Sequence, residues 1–214
     1  MKVAVFGATG MVGQGVLREC LLASDVEAVL APIRTPTGVT HPKLREVPID
    51  DFTDLTPIRD DLAACGACFY CLGVSSVGMD EAAYTRVSYD FPMAAARVFA
   101  ELNPRATFVY VSGAGTNADG RLMWARVKGR AERDIIDLLP NGYAFRPAMI
   151  QPTHGVRSKT RWYNTLYTAA GPLVPLLQRI APNYVTTTDG VGRAMLRAAR
   201  TGFREHIVHN ADLR

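Results

Sequence analysis

The chain has 214 residues, is 48% hydrophobic and carries a net charge of +4, which supplies one well-buried domain and is short for two. No segment reaches the roughly 20 consecutive apolar residues of a membrane-spanning helix, and the short apolar run behind Lys2 meets glycines too early for a secretion signal. A cytoplasmic protein with no membrane partner is therefore expected.

The charge is uneven. Residues 1–120 carry 9 Lys and Arg against 14 Asp and Glu, whereas residues 121–214 carry 15 against 6. A basic second half can attract a phosphorylated cofactor, an anionic substrate, a membrane surface or nucleic acid. Its arginines stand singly on helical-looking segments, so solvated helix faces account for most of them and nucleic acid is disfavoured.

Val3 to Phe6 form an apolar run without polar alternation, as in a strand buried on both faces of a parallel sheet. Gly7, Gly10 and Gly13 follow at intervals of three, and then an amphipathic run, Val12, Val16, Leu17, Cys20 and Leu21. In that order the glycines fit a tight turn, a close approach of backbone to a diphosphate, and close packing of helix on strand. The helix start at Gly10 to Val12 would aim free amides at the phosphates. The motif predicts a dinucleotide site.

Val26 to Leu30 reads as a second strand, and the loop Ala31 to Gly38 holds Arg34 and no carboxylate. At the tip of the second strand an acid would bind the ribose 2′-hydroxyl of NAD, whereas an arginine accommodates the 2′-phosphate of NADP. NADP is favoured, with NAD as the alternative. Leu44 to Val47 is a third strand, Leu55 to Ala64 a crossover helix, and Ala67 to Leu72 a fourth strand breaking at Gly73. Residues 74–80 form a polar loop. Glu81 to Ser88 and Pro92 to Leu102 read as one helix or a broken pair, with Asp90 as the expected cap.

Thr107 to Val111 is a fifth strand ending at Ser112, Trp124 to Leu139 a helix, and Tyr143 to Phe145 a sixth strand leading to Arg146 and Pro147. Residues 151–185, with several prolines and the aromatics Trp162, Tyr163, Tyr167 and Tyr184, read as an irregular cap over the carboxyl ends of the strands. Asp189 to Arg200 closes the fold as a helix, and His206 to His209 as a strand. The alternation predicts a single α/β domain, a doubly wound parallel sheet with a small C-terminal cap segment. Cys65, Cys68 and Cys71 have a metal-like spacing. Residues three apart on a strand face opposite ways, so no metal is expected and these are read as buried thiols in a reducing compartment.

GATGMVG at the start, Asp51-Phe52, CLG at 71–73, Ser112, VKGRAE around Lys128 and FRP at 145–147 together resemble an atypical short-chain dehydrogenase/reductase. The nearest look is to the NAD(P)-binding group of Tat-interacting-protein-like and NmrA-like proteins. The resemblance implies a Rossmann-type fold in which Gly7, Thr9, Gly10, Met11, Val12 and Gly13 hold the phosphates and Arg34 is the basic residue after the second strand. Asp51 and Phe52 would meet the adenine, Leu72 and Gly73 the middle of the cofactor, and Pro147 belongs to the same binding set. Ser112 matches the serine that hydrogen-bonds the substrate oxygen. Lys128 matches the lysine that binds the nicotinamide ribose and lowers the pKa of a tyrosine four residues earlier.

Trp124 stands where that tyrosine would be. An indole N–H donates but does not titrate, whereas carbonyl reduction needs a proton donor. His154, Tyr163 and Tyr167 in the cap are alternative sources. The expected function is an NADP(H)-dependent oxidoreductase acting on an unidentified small molecule. The alternative is a non-catalytic NADP(H) sensor regulating a protein partner. A nucleotide-sugar epimerase ranks third, because such relatives add a larger C-terminal substrate part. A monomer or homodimer is expected.

Overall fold

The first strand, β1 (Lys2–Phe6), lies in the middle of a parallel sheet, and Val3 to Phe6 are wholly buried. In the computed structural model, which describes residues 1–155 and 182–213, α1 (Met11–Leu22) follows and returns the chain to β2 (Ala28–Ile33) and β3 (Leu44–Pro48). A short 3-10 turn (Thr56–Ile58) and α2 (Arg59–Ala63) lead to β4 (Ala67–Tyr70). Next come α3 (Glu81–Thr85), a π-helical turn (Arg86–Asp90) and α4 (Phe91–Leu102) as one unbroken run. The chain continues through β5 (Thr107–Val111), α5 (Met123–Leu138), β6 (Gly142–Arg146) and β7 (Met149–Gln151). From residue 182 a 3-10 turn (Pro182–Tyr184), β8 (Val185–Thr187), α6 (Thr188–Thr201) and β9 (Ile207–His209) follow.

The main sheet has seven strands in the order β3-β2-β1-β4-β5-β6-β9, all parallel. Alternate strand residues feed two apolar layers. Val3, Val5, Val29, Phe69 and Phe145 pack beneath α1 and α6, while Phe6, Cys68, Tyr70, Phe108 and Tyr110 pack beneath α2, α4 and α5. This is the doubly wound Rossmann-type arrangement. Cys68 belongs to one layer and Cys71 packs against the other, and all four cysteines are free thiols. Among the described residues no helix is long and apolar enough to cross a membrane.

Several elements differ from the sequence reading. β2 starts at Ala28 and runs through Ala31, Pro32 and Ile33, residues expected in the following loop. Pro32 stays in register with Val47 of β3, but the Val29 amide bond to the Lys43 carbonyl sets alternate residues 29, 31 and 33 toward β3, so the missing N–H of Pro32 faces the β1 side, where pairing stops at Leu30. Asp90 is not a cap: its backbone is helical and its side chain caps nothing, whereas Asp80 accepts a hydrogen bond from the Ala83 amide. Met149–Gln151 pairs in parallel with Val185–Thr187, a two-stranded ladder that brackets the expected cap segment and was not foreseen. Trp162, Tyr163 and Tyr167 lie outside the described residues.

Candidate functional site

The carboxyl ends of the central strands open into a groove of about 860 Å³, at the point where strand order reverses between β1 and β4. At its floor Gly7 has φ +77°, and a Cβ there would sit 2.5 Å from the Leu72 amide nitrogen. A Cβ on Gly13 would lie 2.0 Å from the Gly7 carbonyl oxygen, so the third glycine packs α1 onto the turn and does not line the groove. Gly7, Thr9, Gly10, Met11 and Val12 do line it. α1 begins at Gly10 with no side-chain cap and no acid in its first turn. Its leading amides therefore lack intrahelical acceptors and present partial positive charge to the groove.

At one end stand Pro32, Ile33, Arg34, Thr35 and Phe52. Arg34 is exposed and forms no ion pair among the described residues. The Phe52 ring is held by Phe6 and Phe91 at centroid distances of 6.2 and 5.8 Å. Asp51 stands apart from the groove lining. Its carboxylate accepts from the Thr53 amide and hydroxyl and pairs with Arg86 at 3.1 Å, bonds that hold it below its ordinary pKa. Cys71, Leu72 and Gly73 line the middle, with open space where a Gly73 side chain would be.

The other end brings Ser112, Trp124, Lys128 and Pro147 together. Lys128 Nζ donates to the Val111 carbonyl at 3.0 Å and to that of Ser112 at 3.4 Å, and lies 5.3 Å from the centre of the Tyr110 ring. Desolvation lowers its pKa to about 8, opposed by Glu132 one helical turn on. Glu132 is itself buried and forked onto Arg146, whose Nε donates to it at 3.0 Å. Ser112 Oγ lies 2.9 Å from Thr116 Oγ1, which in turn donates to the Gly113 carbonyl at 2.8 Å. With the Thr116 proton committed, the Ser112 proton goes to Thr116, leaving lone pairs on Ser112. The Trp124 ring covers the 113–115 loop, within 3.6 Å of where a Gly115 Cβ would be.

Sequence spacing found Ser112, Trp124 and Lys128 but not Thr116 or Glu132, whose bonds depend on the turn of the 112–116 loop and on the packing of α5 on β6. Gly129 was the available signal for the first: a Cβ there would meet the Ala118 amide at 2.4 Å, so this glycine lets the loop bearing Thr116 close onto α5. His154 does not line the groove. It has φ +52° and its Nε2 lies 2.8 Å from an oxygen of Asp189, which also accepts from the Thr153 hydroxyl at 2.8 Å. Among the described lining residues the ionisable ones are Arg34, Cys71 and Lys128, and there is no carboxylate. Free amides, two cations and glycine clearance fit an elongated anion carrying phosphates.

No family model matches the sequence. It is 27% identical over 157 residues to the protein FMP52-1, mitochondrial, of Scheffersomyces stipitis, covering 70% of this chain and 67% of that one. It is 28% identical over 139 residues to the leucinostatins biosynthesis cluster protein T of Purpureocillium lilacinum, covering 63% and 51%. The chain thus spans about two thirds of the first relative and half of the second. Among solved structures, the thiolation-reductase di-domain of an archaeal non-ribosomal peptide synthetase superposes with a TM-score of 0.72 at 15% identity, over 97% of this chain and 70% of that one. MoeE5 in complex with UDP-glucose and NAD gives 0.70 at 18% identity, over 97% and 75%. A short chain dehydrogenase from Burkholderia cenocepacia in complex with NADP gives 0.65 at 16% identity, over 97% and 86%. At these identities the likenesses establish the Rossmann-type fold.

Proposed function

We propose that the chain is an NADP(H)-binding oxidoreductase of the atypical short-chain dehydrogenase/reductase type, akin to the Tat-interacting-protein-like and NmrA-like group, acting on a small molecule in the cytoplasm. The observation that carries this reading is the composition of the groove. It places uncapped helix amides, Arg34 and Lys128 along one cleft with no opposing carboxylate among its described lining residues. Structural neighbours that hold NAD or NADP support a nicotinamide dinucleotide, and four free thiols fit a reducing compartment.

When bound, NADPH would supply a hydride. The α1 amides would hold its diphosphate, Arg34 its 2′-phosphate and Phe52 the adenine side, while Leu72, Gly73 and Pro147 would bound its middle. Lys128 would bind near the nicotinamide ribose, and the Ser112 lone pairs would face the reacting end. Calorimetric titration tests this. NADP should bind more tightly than NAD, and Arg34→Ala should weaken NADP tenfold or more while leaving NAD within about threefold, the loss of one charge-assisted phosphate contact. Equal losses would remove Arg34 from the 2′-phosphate, and absence of binding would reject the reading.

Trp124 favours a second reading, a non-catalytic NADP(H) sensor acting through a protein partner, because the position usually filled by the proton donor cannot titrate. Under it, partner capture must differ between NADPH-loaded, NADP-loaded and empty protein. Indifference to all three would reject it.

A further inference from the structure

We infer that Lys128 is the general acid of this groove, its ammonium handing a proton directly to the oxygen of an aldehyde or ketone. The inference rests on the reading of the chain as an NADPH-dependent reductase and assigns the proton step that Trp124 leaves open.

Elimination within the groove comes first. Arg34 cannot give up its proton near neutral pH and stands at the opposite end. Burial raises the Cys71 thiol well above its ordinary value. Ser112 spends its proton on Thr116, because Thr116 spends its own on the Gly113 carbonyl. The Trp124 indole donates without releasing. Among the described lining residues Lys128 remains, beside Ser112 and Trp124.

An ammonium has three N–H donors, and two are taken by the carbonyls of Val111 and Ser112. One is left for the groove. After that proton leaves, the neutral amine keeps two N–H bonds, both still satisfied, and turns a lone pair toward the product. Both protonation states therefore fit the same scaffold without movement. The charged and titratable groups around it are Tyr110 on β5, whose hydroxyl is donated to the Ser88 carbonyl, Glu132 on its own helix and Arg146 on β6. Glu132 and Arg146 neutralise one another, and Arg126, two residues earlier on α5, is paired with Glu81. Desolvation outweighs the opposing pull of Glu132 and brings the ammonium to about 8, suited to a general acid near neutrality. The step balances: hydride from NADPH adds to the carbonyl carbon, the π pair moves to oxygen, and oxygen takes the Nζ proton to give the alcohol. Water then reprotonates the amine.

The test uses the whole chain, with NADPH and benzaldehyde as probes. NADPH binding is measured first by calorimetry, so that failure of the cofactor reading shows separately as no binding. The acylation rate of Lys128, followed against pH by mass spectrometry of the labelled peptide, should have its midpoint near 8; a midpoint near the ordinary lysine value overturns the proposal. Benzaldehyde reduction should fall about tenfold per pH unit above that midpoint. Lys128→Arg keeps the charge but cannot release it; compared at saturating NADPH, it should lose about 100-fold or more in rate. If that variant does not fold, Lys128→Ala, which leaves room for an exogenous amine, should recover rate with added ethylamine in proportion to the ethylammonium form. Binding without reduction overturns the proposal. So does an unchanged rate in Lys128→Arg, or loss of the high-pH limb in His154→Asn, Tyr163→Phe or Tyr167→Phe while Lys128→Arg retains it.

Discussion

Lys128 shows how one side chain sets stability and chemistry against each other. Its folded pKa of about 8 lies below the ordinary 10.5, so between those values the unfolded chain binds more protons and stability rises with pH. Below pH 8 the desolvated ammonium costs at most roughly 3 kcal/mol, the free-energy equivalent of the shift. Lys128→Met should therefore be more stable than the parent at pH 7, with the advantage shrinking as pH rises towards 10. Urea unfolding at the two pH values measures this; a pH-independent difference would show that the ammonium is not desolvated. The spacing of Ser112, Trp124 and Lys128 was legible in the chain. The Thr116 hydrogen bonds and the Glu132–Arg146 fork were not: the first depend on how the 112–116 loop turns, the second on the packing of α5 on β6.

Among the elements, long apolar strands and periodic helices were readable because burial on both sheet faces imposes their pattern. Boundaries failed where a local rule met a tertiary exception. Pro32 reads as a breaker, yet it continues β2 beyond the end of pairing with β1. The π turn at Arg86–Asp90 left no mark in residue type, although it leaves the Ser88 carbonyl to accept from the Tyr110 hydroxyl at 2.9 Å. β7 and β8 are three residues each, too short for alternation to register. The pairing of α1 with α6 was also illegible, since the glycines that permit it look like weak helix formers. A Cβ on Gly15 would lie 2.5 Å from the Thr188 Cβ and 2.8 Å from its carbonyl, whereas one on Gly192 would meet the Glu19 Cγ at 2.8 Å, which can turn away, and then the Glu19 Cβ at 3.0 Å and the Gly15 carbonyl oxygen at 3.2 Å, which need smaller shifts. Alanine adds about 1 kcal/mol of helix propensity at either site, and overpacking costs about 1–3 kcal/mol where nothing can yield. Gly15→Ala should thus destabilise by up to about 2 kcal/mol and Gly192→Ala by less, read from urea midpoints. Equal effects would mean that the α1–α6 spacing is set elsewhere.

Across the whole molecule, the doubly wound order collects the glycine turn, Arg34, Cys71–Gly73 and Ser112 at one edge of the sheet. Acids of the first two βα units are neutralised away from that groove: Asp25 pairs with Arg200, and Glu27 with the amino terminus. The groove thus stays free of carboxylates among its described lining residues although the first half of the chain is acidic overall. Its two cations are screened unequally. Arg34 is exposed, whereas Lys128 is part-buried behind Tyr110 and the Ser112 loop. The Debye length falls from about 10 Å at 0.1 M salt to about 3 Å at 1 M, and screening acts chiefly on exposed charges. If Arg34 meets the 2′-phosphate, the preference for NADP over NAD should shrink several-fold over that range, while NAD affinity, resting on the α1 amides, changes less. In Arg34→Ala the preference should be small at both salt concentrations. Calorimetry of both dinucleotides at the two ionic strengths measures it. A preference that holds at high salt, or survives in Arg34→Ala, would move 2′-phosphate recognition to buried donors elsewhere in the groove.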